Sequence, residues 1–174
     1  MKTLVHKTAI SLFFLVASLQ LFAQDKVSQV EFEGSENVIL TSTSANPGVS
    51  GTLSSSETVR IVCAQGVCNL AIDYKGRTVT AEIGDRVTMA QVFEYDFGVD
   101  GDNEIVVIND YKGTAVLYVF AYASGIIQKL FEREIFNNRT IIKDHYIEIY
   151  SLGGLDTVWN YYQGMFWVMR PVEF

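Results

Sequence analysis

Four acidic side chains crowd one nine-residue stretch of the chain, where they surround two glycines. They are Asp96, Asp100, Asp102 and Glu104, and the apolar run 105–108 follows them directly. Carboxylates this close repel one another unless a positive charge lies between them. A calcium ion in a loop is held by oxygens from alternating carboxylates and a backbone carbonyl. The spacing therefore predicts a calcium-binding loop that leads into a β-strand, with an ion-free, solvated acidic turn as the alternative.

The order of the residues excludes a helix-flanked calcium loop. Its twelfth position falls on Val107, which carries no carboxylate, and both flanks are strand-like. The loop and the strand after it, 104–107, instead resemble the FG-GAP or VCBS repeat, which forms one blade of a β-propeller. The resemblance covers a single unit, 91–130, and implies blade-like antiparallel hairpins.

The same resemblance implies which atoms of the loop hold calcium. The ligands would be the side chains of Asp96, Asp100 and Glu104 and the carbonyl oxygen of Asp102. The chain departs from the family at Gly98, where Asp or Asn is usual, and at Val99, where Gly is common. Because one ligand is lost at Gly98, water would replace it, and we expect a weak site.

Strand-like segments rich in Val, Ile, Thr and aromatic residues recur along the chain, separated by glycines at turn-like spacing. Segment 115–121 is apolar at every position, as expected for a strand covered on both faces. Segment 126–135 fits a helix as well as a strand, and its neighbours favour a strand. The fold is predicted to be all-β, an antiparallel meander of propeller-blade-like hairpins, with a small β-sandwich as the alternative. The predicted strands are 30–32, 38–40, 59–64, 69–74, 77–83, 87–95, 104–109, 114–122, 146–151, 157–162 and 165–170.

One short sequence occurs twice between strand-like segments. It reads Asp-Tyr-Lys-Gly at 73–76 and again at 110–113. The echo could mark repeating hairpin units, or similar hairpins that reuse the same turn residues.

The chain begins with a signal-peptide pattern, in which basic residues precede an apolar stretch, 9–22. We expect residues 1–23 to be removed and the protein to be secreted, to the periplasm or outside the cell. An uncleaved anchor is the alternative, but the stretch is short and interrupted by polar residues. Residues 24–58 are predicted to hold two short strands and a Ser/Thr-rich flexible segment, 41–58. The all-β domain is predicted over 59–174.

The two cysteines, Cys63 and Cys68, flank a turn-like Gln-Gly pair. In an oxidising compartment such a pair predicts a disulfide across a hairpin. The alternative, a metal or redox pair, lacks a partner cysteine and a nearby histidine.

Five aromatic residues lie within nine positions near the C-terminal end: Trp159, Tyr161, Tyr162, Phe166 and Trp167. Such rings can stack on a sugar or a protein partner. They can also fill the core from alternate positions of a hairpin, which places Trp159 and Tyr161 on one face. We expect the core-filling arrangement.

The chain carries few of the patterns that mark an enzyme. Beyond the signal, His145 is the only histidine, and neither a Gly-x-Ser-x-Gly nor a His-Glu-x-x-His motif occurs. The formal charge of −7 disfavours nucleic acid and anionic membranes as partners. We expect a secreted, non-enzymatic β domain with a calcium-ordered loop that binds a protein or glycan partner. The alternatives are a small extracellular hydrolase with a carboxylate pair, and an inhibitor that blocks an enzyme with an exposed loop such as 41–58.

Overall fold

The computed structural model describes residues 30–46, 48–135, 139–151 and 153–169, and these form an all-β protein, as predicted. The expected signal peptide, 1–23, lies outside the described residues. Within the described ranges, no helix is long and apolar enough to span a membrane.

The described residues form fourteen strands, most of which are joined by tight turns to the next strand in the chain. The strands are β1 (Val30–Glu33), β2 (Asn37–Thr43), β3 (Ser50–Thr52), β4 (Thr58–Ala64), β5 (Val67–Tyr74), β6 (Arg77–Glu82), β7 (Met89–Tyr95), β8 (Glu104–Tyr111), β9 (Thr114–Ala123), β10 (Ile126–Glu134), β11 (Arg139–Lys143), β12 (Tyr146–Ser151), β13 (Gly154–Tyr162) and β14 (Met165–Met169).

The strands make three sheets, and each sheet is built mainly from hairpins that follow one another in the chain. Sheet I has the order β3-β4-β5-β6, sheet II the order β10-β9-β8-β7-β2, and sheet III the order β1-β11-β12-β13-β14. Neighbouring strands are antiparallel except for β1, which runs parallel to β11. The predicted antiparallel meander is therefore confirmed.

Sheet II is the middle layer of the molecule and is buried on both faces. Along β8, Ile105 and Val107 belong to the core that sheet II shares with sheet I. The alternate residues Val106 and Ile108 belong to the second core, which lies against sheet III. An uninterrupted apolar strand has this property, because successive side chains point to opposite faces. The doubly covered strand predicted at 115–121 is likewise found, as β9.

The N-terminal segment contributes an edge strand to every sheet. Strand β1 pairs with β11 in sheet III, β2 with β7 in sheet II, and β3 with β4 in sheet I. The three strands before residue 59 therefore belong to the same sheets as the strands after it.

Segment 41–58, predicted to be flexible, contains some regular structure. It includes the end of β2 and all of β3, and the side chains of Ser42 and Leu53 are buried. At Gly51 in β3 the backbone approaches β2 closely, since a Cβ atom there would lie 2.5 Å from the backbone oxygen of Ile39.

The repeated Asp-Tyr-Lys-Gly sequence closes two hairpins that occupy different places in their sheets. One connects β5 to β6, at the edge of sheet I, and the other connects the internal strands β8 and β9 of sheet II. In both turns the Lys and the Gly have positive φ, as a two-residue hairpin turn requires. The echo therefore reflects shared turn residues rather than a common position within repeating sheets.

Candidate functional site

The acidic loop connects β7 to β8 at one end of sheet II. Its second residue, Phe97, is fully buried and lies in the core between sheets II and III. The backbone N–H of His145, in the β11–β12 turn, donates a 3.0 Å hydrogen bond to the carbonyl oxygen of Phe97. The carbonyl oxygen of His145 accepts a hydrogen bond from the N–H of Tyr161 on β13. The loop is thereby attached to sheet III by main-chain contacts.

The first two carboxylates of the loop accept hydrogen bonds from its own backbone. The oxygens of Asp96 accept from the N–H groups of Asp100, at 3.2 Å, and Gly101, at 2.8 Å. One oxygen of Asp100 accepts from the N–H of Asp102 at 3.0 Å. These contacts form a turn of the kind that Asp side chains commonly stabilise.

Glu104 differs from the other three acids because it points into the protein. Its side chain is only 7% exposed. One oxygen accepts a 3.1 Å hydrogen bond from the backbone N–H of Phe97, and the other accepts from the Tyr161 hydroxyl. Burial raises the pKa of the Glu104 carboxyl above its usual range, although both hydrogen bonds oppose this shift. Burial, together with this carboxylate, raises the pKa of Tyr161 as well.

Three of the four acids predicted as calcium ligands, Asp96, Asp100 and Glu104, thus accept hydrogen bonds from protein groups. Across the described part of the chain, no group of three or more His, Cys, Asp or Glu side chains is placed to hold a metal ion. Calcium binding by Asp96, Asp100, Asp102 and Glu104 gains no support from this geometry and stays a prediction of the sequence.

The two positions that depart from the FG-GAP pattern have structural explanations here. At Gly98, a Cβ atom would lie 2.9 Å from a carboxylate oxygen of Asp100, so the Asp or Asn of the family would require the exposed Asp100 side chain to move. At Val99 the backbone is left-handed, with φ of 56°, although its branched side chain disfavours that region. The loop thus adopts the conformation that a glycine at this position would permit, with a valine in its place.

The hydrolase alternative depends on two carboxylates that face one cleft. The buried acids nearest each other in the sheet are Glu94 and Glu104, at the same end of sheet II. Glu94 bonds to Ser54 in the β3–β4 turn, whereas Glu104 bonds to Tyr161 of sheet III. The two side chains leave sheet II from opposite faces, and both line one cavity at this end of the sheet, together with Asp100 and Asp102. The hydrolase alternative therefore stays a prediction of the sequence.

The cysteines lie where the sequence predicts them. Cys63 and Cys68 are directly opposite each other on β4 and β5 and form a disulfide. The bridge closes the tip of the hairpin, and neither sulfur is a free thiol.

The aromatic residues of the last hairpin are divided between its two faces. Trp159, Tyr161 and Phe166 turn inward and pack against the core between sheets II and III, as expected. The Phe131 ring of sheet II contacts both Trp159 and Phe166, with ring centres 5.2 Å apart in each case. The core-filling prediction therefore holds for three of the five aromatic residues.

The opposite face of the same hairpin carries large apolar residues towards solvent. Asn160 is paired with Trp167, and Tyr162 with Met165, so these four side chains share the outer face of sheet III. Tyr162 is 62% exposed, Trp167 57%, Met165 50% and Met169 48%. Asn160, Tyr162, Trp167 and Met169 line a shallow, mainly apolar depression. We call these four residues and Met165 the outer patch.

The outer patch was not predicted. Alternation in the sequence places Trp159 and Tyr161 on one face of the hairpin, but it does not show that the opposite face is left uncovered. A scan of protein-family models, a search of curated proteins and a search of solved structures each found no match to this chain.

Proposed function

We propose that the chain is a secreted, non-enzymatic β domain that binds a protein partner through the outer patch. The single observation that carries this proposal is the exposure of four large apolar residues on the outer face of one hairpin: Tyr162, Met165, Trp167 and Met169. Contiguous exposed apolar surface of this kind marks interaction sites on soluble proteins. Secretion rests on the signal-peptide pattern of the sequence.

The composition of the outer patch favours a protein over a glycan. Tyr, Trp and Met are enriched in protein interfaces, whereas Lys, Glu and Asp are depleted, and the patch contains no charged residue. A glycan site needs several polar groups to bond sugar hydroxyls, and Asn160 is the one amide in the patch.

A binding role also agrees with the state of the groups that could otherwise perform chemistry. Cys63 and Cys68 are joined in a disulfide, and the buried carboxylates Glu94 and Glu104 are each engaged in anchoring a neighbouring sheet. Calcium binding by the acidic loop is a secondary proposal. The ion would order this loop, which lies beside sheet III, the sheet that carries the outer patch. The FG-GAP resemblance supports this secondary proposal alone.

Photo-crosslinking in the secreted fraction of the host tests the proposed function. A photoreactive amino acid replaces Tyr162, and a matched control replaces Val62, an exposed apolar residue on β4 of sheet I. We expect a discrete adduct with a protein other than this chain from position 162 and none from position 62. Excess wild-type protein should abolish the adduct, whereas excess Trp167→Thr, which keeps a residue suited to a strand, should not.

Two results would overturn the proposal. Equal adducts from positions 162 and 62, or an adduct that Trp167→Thr competes away as well as wild type does, would show that the outer patch is not the binding surface. An adduct that disappears after glycosidase treatment would assign the patch to a glycan.

A further inference from the structure

We infer that strand β14 pairs antiparallel with β14 of a second copy of this chain, so that the outer patches of both copies form one binding face. The inference begins with the edges of the three sheets, since a strand at an edge presents unpaired N–H and C=O groups that can template another strand. Natural proteins protect such edges with charged residues, bulges or very short strands.

Five of the six edge strands in the described sheets carry such protection. Strands β1, β6 and β10 contain charged residues, β3 has only three residues, and β2 is interrupted by a bulge between Val38 and Leu40. Strand β14 reads Met-Phe-Trp-Val-Met, with no charge, and its pairing with β13 is regular. It is therefore the edge best suited to accept another strand.

The sequence of β14 is close to self-complementary. In an antiparallel pair centred on Trp167, Met165 faces Met169 of the second copy, and Phe166 faces Val168. Each apolar residue then meets an apolar residue, and both outer patches lie on the same side of the joined sheet. Sheet III and its copy would form one continuous ten-stranded sheet.

Charge favours a second copy at this edge in particular. In a two-fold interface every residue lies near its own equivalent, so a charged strand would place like charges together. The chain carries a net charge of −7, yet β13 contains only Asp156 and β14 contains no charge at all. This hairpin is thus a surface where two copies of an acidic protein can meet without repulsion.

The pairing of β14 stands by itself, whereas the shared binding face rests on the proposed function. In the dimer, Trp167 and Met165 of each copy border the central seam of the joined sheet. The partner protein would then contact residues of both chains, and the binding face would be incomplete in a monomer.

Sedimentation equilibrium at micromolar protein concentration tests the pairing. Wild type is expected at twice the mass of the chain, and Trp167→Lys, which opposes a lysine to its own copy, should weaken dimerisation roughly tenfold or more. The matched control is Ile126→Lys, which places the same charge on the edge strand β10 at a residue that is 70% exposed. This control should dimerise as wild type does.

A second readout follows the interface itself. The chain has two tryptophans, so Trp159→Phe leaves Trp167 as the only tryptophan. The phenylalanine at position 159 keeps an aromatic ring against Phe131. The emission of Trp167 should shift to shorter wavelength, and its quenching by acrylamide should fall, as protein concentration rises through the dimerisation range.

Failure of this inference is distinguishable from failure of the proposed function. A monomeric wild type, or a dimer equally weakened by Trp167→Lys and Ile126→Lys, overturns β14 pairing whatever the crosslinking shows. A dimer that Trp167→Lys disrupts, with no crosslinked partner at position 162, retains the pairing and overturns the proposed function.

Discussion

Replacement of Glu104 by alanine tests whether the acidic loop is held by an inward-facing carboxylate. The side chain is 7% exposed and accepts hydrogen bonds from the backbone N–H of Phe97 and from the Tyr161 hydroxyl. A buried donor that loses its partner costs about 1–3 kcal/mol. The Tyr161 hydroxyl is half-buried and can turn partly to water. We therefore expect Glu104→Ala to lower the free energy of unfolding by about 2–4 kcal/mol.

Urea unfolding followed by circular dichroism measures this cost, with Asp102→Ala as the matched control. Asp102 is exposed, so we expect its variant to lie within about 0.5 kcal/mol of wild type. The cost of Glu104→Ala should be the same in EDTA and in calcium, because its partners are protein groups. Equal costs for the two variants, or a Glu104→Ala cost that vanishes in EDTA, would refute this reasoning and favour a metal ligand.

The pH dependence of the same site has a defined sign. Burial raises the pKa of Glu104 in the folded protein, so the folded state holds its proton to higher pH than the unfolded state does. Stability from this group therefore rises as pH falls from neutral through the raised pKa, and flattens below the ordinary pKa. In Glu104→Gln this slope should be absent, and a slope identical to that of wild type in the urea measurements would contradict the burial argument.

Three further predictions concern the hairpin tip and the loop. Replacing both Cys63 and Cys68 by serine should lower the free energy of unfolding by about 2 kcal/mol, measured by urea unfolding, because the closed loop is short; reduction of wild type is the control. If the sequence-based calcium prediction is right, about 1 mM calcium should add about 0.4–1.4 kcal/mol, and Asp100→Asn should abolish the gain; equal thermal melts in calcium and EDTA would refute it. Val99→Asn should stabilise by about 1 kcal/mol, since Asn tolerates left-handed backbone and Val does not; an unchanged melting temperature would show that no strain is present.

The fold class could be predicted because the patterns that determine it are local. Segment 115–121 is apolar at every position, which predicts a strand covered on both faces, and β9 has this property in the middle layer. The cysteine pair could be predicted because Cys63 and Cys68 flank a two-residue turn. Segment 126–135, which also fitted a helix, forms β10, where it pairs antiparallel with β9 as the edge strand of sheet II.

The parts that could not be predicted depend on contacts distant in sequence. Strand β3 has the composition of a linker, and it is ordered by pairing with β4 and by close approach to Ile39. Glu104 was predicted as a calcium ligand from its spacing in the loop, and that spacing does not indicate its hydrogen bond with Tyr161, which lies 57 positions away on another sheet. The orientation of the outer patch likewise depends on which face of sheet III meets sheet II.

The affinity of the crosslinked partner for purified variants tests the central claim most directly. Trp167→Thr should weaken binding by about 30-fold or more, corresponding to at least about 2 kcal/mol for an interface hot spot. Its free energy of unfolding should stay within about 0.5 kcal/mol of wild type, since the side chain is largely exposed. Val62→Thr on sheet I should bind as wild type does. Equal affinities of wild type and Trp167→Thr would contradict the assignment of the outer patch as the binding surface.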